Sequence, residues 1–379
     1  MRFIFKTSYY QDLGLFQDRV ERNWYVVLAI VLLVTPLVLP AYLSDLSLML
    51  IFGLCGVSLM VLVGYTGVVS LGHAAFLGIG AYAHVYFSQD MGLPWIVSVV
   101  LAAAATATAG VLVGLPVLRL SGLYLAIATL AFALIIQEVF SRWDSVTGGI
   151  KGKAVERAVI FGYPIHEVTF YFLCLGFLIA ALWLSRNLLR APAGRALIAI
   201  RDSEIAAQSM GVNLTFYKTF AFGYSAAMMG FAGALFAHEV GFLAPDIFTA
   251  LLSIQFLLMV VVGGLGSLHG AIFGAMFVAL LPVVISSVRD SMPDWFGWAF
   301  GLFGSDAGSA IGVAVDRIVK QPGLEPGIFG LILVLFILFE PRGIYGRWLK
   351  IKLYFSQFPL YKQATFKRQK SYMKSERFR

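Results

Sequence analysis

The sequence predicts an all-α membrane protein with about ten transmembrane helices, and three observations support this. Of the 379 residues, 60% are hydrophobic and only 13% are charged, about half the charged fraction of a soluble domain. Apolar runs near 20 residues long recur along most of the chain, and a helix of that length crosses a ~30 Å hydrocarbon core. The sequence lacks the short alternating strands from which a membrane barrel is built.

Ten apolar runs predict the spans of a transmembrane domain over residues 24–340. They lie at residues 24–43, 46–64, 73–88, 94–117, 121–141, 168–185, 218–241, 247–264, 268–288 and 326–340. Residues 1–23 are amphipathic and rich in aromatic residues, so we expect them at the membrane interface on the cytoplasmic side. Cys55 and Cys174 fall inside apolar runs, which predicts packed thiols and no disulfide framework.

Basic residues predict the orientation, because cytoplasmic loops are enriched in Lys and Arg. Residues 342–379 hold eleven Lys or Arg and one acid, and residues 186–218 hold five basic residues and two acids. We therefore expect the 186–218 loop and the basic tail 341–379 to be cytoplasmic, together with the N-terminus. The segment 289–325, with five acids and three basic residues, is then expected outside. A basic tail beside a membrane meets lipid headgroups more often than nucleic acid, so no nucleic-acid partner is predicted.

The stretch 64–82, GYTGVVSLGHAAFLGIGAY, has more glycine than an uninterrupted spanning helix needs. Its first three glycines predict a broken helix or re-entrant turn, which is tolerated at membrane depth where it is buried in protein or lines a wet cavity. One hypothesis is that the stretch lines a substrate pathway. The candidate pathway residues in it are Tyr65, Ser70, Gly72 and His73. The alternative is a helix-packing seam in which His73 is an interior histidine with satisfied hydrogen bonds.

A related pattern recurs over residues 263–275, GGLGSLHGAIFGA, and indicates a faint internal repeat of the kind that transporters carry. The matching pairs are Gly67 and Gly264, Ser70 and Ser267, Leu71 and Leu268, Ala74 and Ala271, and Phe76 and Phe273.

The chain has no sequence for hydrolysing ATP. TGGIKGK at 147–153 resembles a phosphate-binding loop, but the lysine lacks the required glycine spacing and Ala154 stands where Ser or Thr is needed. Coupling to protons or sodium usually relies on carboxylates inside the membrane, and no Asp or Glu lies mid-span. Energy for any transport is therefore expected to come from another protein.

The polar segment 186–218 predicts two short helices where a simple turn would suffice. One runs from Pro192 to Ile200, with the proline tolerated in its first turn. The other runs from Ser203 to Met210, capped by Asp202 or Ser203 at its start and closed by Gly211. We interpret this as a docking element for a soluble partner, and the alternative is an ordinary interfacial loop.

Four segments resemble the permease subunits of branched-chain amino acid ABC importers, specifically the M-type subunit of the high-affinity Leu/Ile/Val system. They are residues 64–82, 121–139, 194–237 and 327–346. The resemblance implies the ten-helix ABC importer permease fold in a bacterial inner membrane. The 289–325 segment would then be a periplasmic loop.

The resemblance also implies roles for particular residues. Glu204, Ala206, Ala207 and Gly211 match the E-A-A…G loop that docks on the cytoplasmic ATPase in such importers, and with Arg201 they form the predicted ATPase-coupling set. Thr147, Gly148, Gly149 and Gly152 match the family's T-G-G-x-x-G loop, and the first three join the predicted pathway. Ile150 and Lys151 depart from the small polar residues usual there.

The predicted function is therefore a pore-forming subunit of an ATP-driven importer of branched-chain or similar hydrophobic amino acids. The chain itself is expected to be no enzyme and to hold neither cofactor nor metal. The implied partners are a paralogous second permease, two cytoplasmic ATP-binding subunits, a periplasmic substrate-binding protein and membrane lipid. The alternatives are a permease for urea, amides, a sugar or another small solute in the same class, and a self-contained secondary transporter or channel.

Overall fold

The computed structural model of the protein describes residues 19–117, 120, 122–160, 163–301, 313, 316–317, 321, 323–340 and 343–357. Helices dominate these residues, so the predicted all-α membrane fold is confirmed. Most of the predicted N-terminal interfacial segment and all of the tail beyond residue 357 lie outside the described residues.

The first half of the chain forms helices joined by short connections. They are α1 (Arg19–Val38), α2 (Leu43–Leu59), α3 (His73–Val85), α4 (Trp95–Val117), α5 (Leu123–Arg142) and the single turn α6 (Asp144–Thr147). Wider π-helical turns extend α2 over Met60–Tyr65 and α3 over Tyr86–Asp90. Three short strands follow, β1 (Lys153–Ala154), β2 (Val159–Ile160) and β3 (Tyr163–Pro164), and β2 pairs with β3.

The second half continues in the same manner. Its helices are α7 (Glu167–Arg190), α8 (Pro192–Asp202), α9 (Glu204–Ser209), α10 (Leu214–Val240), α11 (Ala250–Gly263), α12 (Leu268–Gly301), α13 (Leu324–Phe339) and α14 (Gly343–Gln357). The short strand β4 (Phe242–Leu243) separates α10 from α11.

Each of the ten predicted spans coincides with one of these helices. Within the described residues, seven helices are long and apolar enough to cross a membrane, and α13 with α14 makes an eighth if the pair counts as one broken span. Residues 26–38 of α1 form a shorter apolar helix, and α3 has 13 residues. The exact count of ten therefore stays a prediction.

Several predicted span boundaries differ from the structure, and two of them show the reason. Helix α1 begins at Arg19, so residues 19–23 belong to a helix that was expected to start at 24. Helix α12 continues to Gly301, so the loop predicted from residue 289 begins as helix. Hydropathy marks where an apolar run ends, whereas a helix continues as long as its backbone hydrogen bonds do.

Helix α10 lies at the centre and packs against α2, α3 and α4. In the spans that contain α2 and α10, 78% of the most apolar 18-residue stretch is buried. The corresponding share in the other long spans is 28% to 39%, so α2 and α10 are enclosed by protein. Small residues allow the close approach, as is usual between membrane helices. A methyl group added at Gly80 would lie 2.6 Å from the Gly230 Cα, and one added at Gly230 would lie 2.8 Å from the Ala103 Cα.

Contacts between distant segments mark the two ends of this bundle. At one end β1 pairs antiparallel with β4, and the Lys153 ammonium contacts the Asp90 carboxylate. At the other end the chain leaves helical geometry between α2 and α3 and again between α11 and α12, and these two breaks meet. A methyl group added at Gly64 would lie 3.0 Å from the Gly266 amide nitrogen. The start of α14 also lies at this end, because Gly343 packs against the backbone of Gly264.

Candidate functional site

Helix α9 has the caps that the sequence predicts. The Ser203 hydroxyl accepts a hydrogen bond from the Ala206 amide at 3.3 Å, so Ser203 is the N-cap rather than Asp202. Gly211 closes the helix in the left-handed region, with φ of +83°, and its amide donates to the Gln208 carbonyl. The preceding helix α8 is also as predicted, with Pro192 in its first turn.

The surface of α9 carries large apolar side chains that the chain does not cover. Ile205 of α9 is 83% exposed and Met210, which directly follows the helix, is 84% exposed, whereas Ala207 is buried. Large exposed apolar side chains that lie together mark interaction sites. The docking role of α9 stays a prediction.

An ion pair joins α9 to the base of α10. The Lys218 ammonium lies 2.7 Å from the Glu204 carboxylate, and the lysine side chain is only 6% exposed while the glutamate is 47% exposed. In the sequence, Lys218 is one of the five basic residues of the polar segment 186–218. Its burial could not be read from the sequence, because it depends on α10 beginning at Leu214 and packing against α8.

Arg201 points away from the exposed face of α9 and towards the break between α2 and α3. Its Nη1 donates to the Gly64 carbonyl oxygen at 3.1 Å, and its Nε and Nη2 donate to the Asp202 carboxylate. Tyr65 is half-buried at the same place, near Arg201, Leu268 and Tyr345. Arg201 and Tyr65 were predicted for different roles, ATPase coupling and pathway, and the structure places them together.

The break after α2 occurs where the glycines predicted it. Residues 67–72 are not helical, and Gly67 has a φ of +75°, which a side chain would strain. Gly72 is needed for packing: a methyl group there would lie 2.8 Å from the Thr129 carbonyl oxygen. A second break lies between α11 and α12, within the stretch that repeats the first pattern, and has Gly264 at a φ of +108°. In both breaks a serine hydroxyl accepts from a nearby glycine amide, Ser70 from Gly72 and Ser267 from Gly270.

Ser70 and His73 are fully buried and belong to a polar network inside the bundle. His73 Nδ1 lies 3.0 Å from the Ser70 hydroxyl, and His73 Nε2 lies 2.8 Å from the Ser225 hydroxyl of α10. Ser225 in turn lies 2.9 Å from the Ser58 hydroxyl of α2. This matches the interior histidine that was left open as an alternative, and the pathway role of these residues stays a prediction.

The predicted pathway residues of the T-G-G-x-x-G loop lie at the opposite end of the bundle from Tyr65. The buried Thr147 hydroxyl donates to the Phe140 and Trp143 carbonyls and accepts from the Gly149 amide. Gly148 and Gly149 both have positive φ, which the tight loop requires. The structure therefore divides the predicted pathway set among the interior and both ends.

A second buried polar cluster was not predicted as a unit, although its histidines were noticeable as polar residues near span ends. His84 Nε2 lies 2.8 Å from His238 Nε2, which also accepts from the Trp95 indole at 2.9 Å. The Ser98 hydroxyl lies 2.9 Å from His84 Nδ1. The cluster links α3, α4 and α10 near the strand end, so it has a packing role in the fold.

The family model described as "Branched-chain amino acid transport system / permease component" matches residues 42–303, which include both breaks, the polar network and α9. The chain belongs to this family. The resemblance stated from the four sequence segments is thereby confirmed, and the chain is a multi-pass membrane protein.

Two curated relatives carry the name high-affinity branched-chain amino acid transport system permease protein LivM. The protein from Salmonella typhimurium is 37% identical over 212 residues, and that from Escherichia coli is 36% identical over 212 residues. Each match covers 49% of this chain and 50% of the relative, so the chain spans about half the length of the curated relatives it matches. No solved structure matches the chain.

Proposed function

We propose that this permease is a pore-forming subunit of an ATP-driven importer that carries branched-chain amino acids across the bacterial inner membrane. Family membership supports the transport class, and the names of the two relatives support the substrate. The chain is no enzyme in this proposal. Two cytoplasmic ATP-binding subunits hydrolyse ATP, a periplasmic protein delivers the amino acid, and a second permease completes the pore.

The exposed apolar side chains at α9 are the observation that carries the proposal. Ile205 lies on α9 and Met210 directly follows it, and the helix is fixed at its start by the Ser203 cap and tied to α10 by Glu204 and Lys218. A helix held in this way can transmit a push from a docked subunit into a span. Segment 186–218 is therefore the proposed cytoplasmic coupling region, with Glu204, Ala206, Ala207 and Gly211 at the ATPase surface.

The remaining regions take their places from this orientation. Both termini are cytoplasmic, with residues 1–23 at the membrane interface and the basic tail 341–379 on the inner leaflet. The segment 289–325 is periplasmic. Tyr65, Ser70, Gly72, His73 and Thr147 to Gly149 are the proposed pathway residues.

Substrate and energy source are tested by uptake. The complete importer, reconstituted in liposomes with ATP inside, should accumulate labelled leucine, isoleucine and valine in the presence of the binding protein, and should not accumulate urea. Uptake of urea without uptake of leucine would contradict the proposed substrate and would favour a urea permease. Leucine uptake that persisted without ATP or the ATP-binding subunits would favour a secondary transporter.

Coupling through α9 is tested at Gly211. No atom of the chain lies within 4 Å of a methyl group added there, so within the chain a substitution acts through the positive φ and through any charge that it brings. Asn tolerates that backbone, whereas Asp also places a negative charge at the helix C-terminus, a cost in the helix of about 1 kcal/mol. We expect Gly211→Asn to behave as wild type and Gly211→Asp to lose both copurifying ATPase and uptake. Normal uptake by Gly211→Asp would leave α9 as an ordinary loop.

A further inference from the structure

The two breaks in the bundle meet at one side chain. Arg201 is the penultimate residue of α8 and is separated from α9 only by Asp202 and the cap Ser203. A methyl group added at Gly67, in the first break, would lie 3.1 Å from the Arg201 Cγ. One added at Gly266, in the second break, would lie 3.3 Å from the Arg201 Nη1. The same arginine therefore packs on a glycine from each break.

The guanidinium supplies a hydrogen bond that the first break needs. A carbonyl near the end of a helix lacks the amide partner that the next turn would provide. The Arg201 Nη1 donates to the Gly64 carbonyl oxygen at 3.1 Å, one residue before the end of the π-helical turn. Asp202 accepts from Nε at 3.1 Å and from Nη2 at 2.9 Å, which holds the planar group in this orientation.

We propose that Arg201 is a positioning residue that transmits movement of α8 and α9 to both broken segments. The inference rests on the proposed function, because it assumes that α9 receives the push of an ATPase. Among the predicted coupling residues, Arg201 then has a role apart from docking. It faces the membrane domain and connects the docking helix to the two places where the bundle is able to bend.

A simple surface ion pair would not require this arrangement. Arg201 and Asp202 are neighbours in sequence, and exposed pairs of this kind contribute little stability. The additional bond to Gly64 and the contacts with Gly67 and Gly266 join segments far apart in the chain. Glycine at both contact positions leaves room for the arginine, since a side chain at either would crowd it.

The test measures transport per ATP in the reconstituted importer. Arg201→Ala should assemble with its ATPases and hydrolyse ATP, but the amount of leucine moved per ATP should fall severalfold, because the guanidinium no longer joins α8 to the Gly64 carbonyl. Arg201→Lys keeps a donor but loses the planar fork, so it should recover part of the ratio. Arg142→Ala is the control, an exposed arginine outside the coupling region whose ion pair with Glu138 lies within its own helix, and it should keep the wild-type ratio.

A double-variant comparison addresses the contact with the second break. Gly266→Ala strains a backbone with φ of +84° and also brings a methyl group to 3.3 Å from the Arg201 Nη1, so it should lower the ratio. Only the part caused by the arginine contact should disappear when Arg201→Ala is added, so the double variant should lose less than the two single effects combined. The proposal would be overturned if the losses of the two single variants added in full in the double variant. It would also be overturned if Arg201→Ala kept the wild-type ratio. Loss of the ATPases from Arg201→Ala would also overturn it, by placing the residue at the partner surface. If the wild-type importer moves no leucine at all, that result contradicts the proposed function and is distinct from a failure of the inference about Arg201.

Discussion

His73 shows how a polar side chain is accommodated among apolar helices. An imidazole without partners in such an interior is costly, because its nitrogens lose water and gain nothing in return. Here both ring nitrogens lie within 3.0 Å of a serine hydroxyl, one from the break and one from α10. The network also reaches Ser58, so α2, α3 and α10 are joined at one buried point.

Ser225→Ala tests whether this network stabilises the fold or serves transport. It removes the hydroxyl partner of His73 Nε2, leaving that buried nitrogen unsatisfied at a cost of about 1–3 kcal/mol, whereas the Ser58 hydroxyl still donates to the Ser225 backbone carbonyl at 2.7 Å. We expect a lower thermal midpoint of the purified complex. Thr108→Ala is the control, because the exposed Thr108 hydroxyl donates to a carbonyl of its own helix, and this variant should leave the thermal midpoint unchanged. An unchanged midpoint with altered leucine affinity would instead support pathway lining.

Residue-level prediction from the sequence succeeded where the cause is local. Ser203 and Gly211 were identified as caps because capping depends on neighbours within four residues. The partnership of His73 with Ser225 spans 152 positions, and the bond from Arg201 to Gly64 spans 137. Nothing in the sequence near either residue encodes such a contact.

At the scale of elements, helix identity was predictable and helix length was not. The apolar runs gave the position of each span, yet α12 continues well beyond its apolar part. The segment 186–218 is mostly helical, because α7 extends to Arg190 and α10 starts at Leu214. The coupling region therefore consists of α8, α9 and a short connection, with little freedom to move independently of the bundle.

The ion pair between Glu204 and Lys218 should be necessary for this rigidity. Glu204→Lys would set two ammonium groups against each other at the base of α10. We expect the free energy of unfolding to fall by about 1–3 kcal/mol. This is less than the roughly 3–5 kcal/mol lost when a fully buried pair is broken, because Glu204 is half-exposed. The measurements are the thermal midpoint and the ATPase yield of the complex.

The reversed pair, Glu204→Lys with Lys218→Glu, is the informative comparison. It should recover more of the midpoint than either single variant, because the two charges again attract. Glu138→Gln, which breaks the exposed pair with Arg142, is the control and should change the midpoint little. A reversed pair less stable than both single variants would show that the contact is not electrostatic.

At the scale of the whole molecule, the number of spans between two segments decides whether they lie at the same end of the bundle. The breaks, α9 and the start of α14 gather at one end, and the strands gather at the other. The sequence predicted that the 186–218 loop and the start of the tail share a side, since four spans separate them. It could not predict that Gly64, Gly266 and Arg201 meet there, because that depends on how the helices pack.

Two residues of equal exposure, one at each end, allow the orientation to be tested. Ile150 beside the strands and Met210 beside α9 are both 84% exposed, so cysteines at these positions should be equally accessible to reagent. The native Cys55 and Cys174 are buried and should contribute little background labelling. A membrane-impermeant maleimide added to sealed cells should label Ile150→Cys and leave Met210→Cys unlabelled, because the basic end is held in the cytoplasm. Permeabilised membranes from cells that lack the ATP-binding subunits should label both equally, which controls for accessibility. Labelling of Met210→Cys alone in sealed cells would invert the orientation, and α9 would then lie where no cytoplasmic ATPase could reach it.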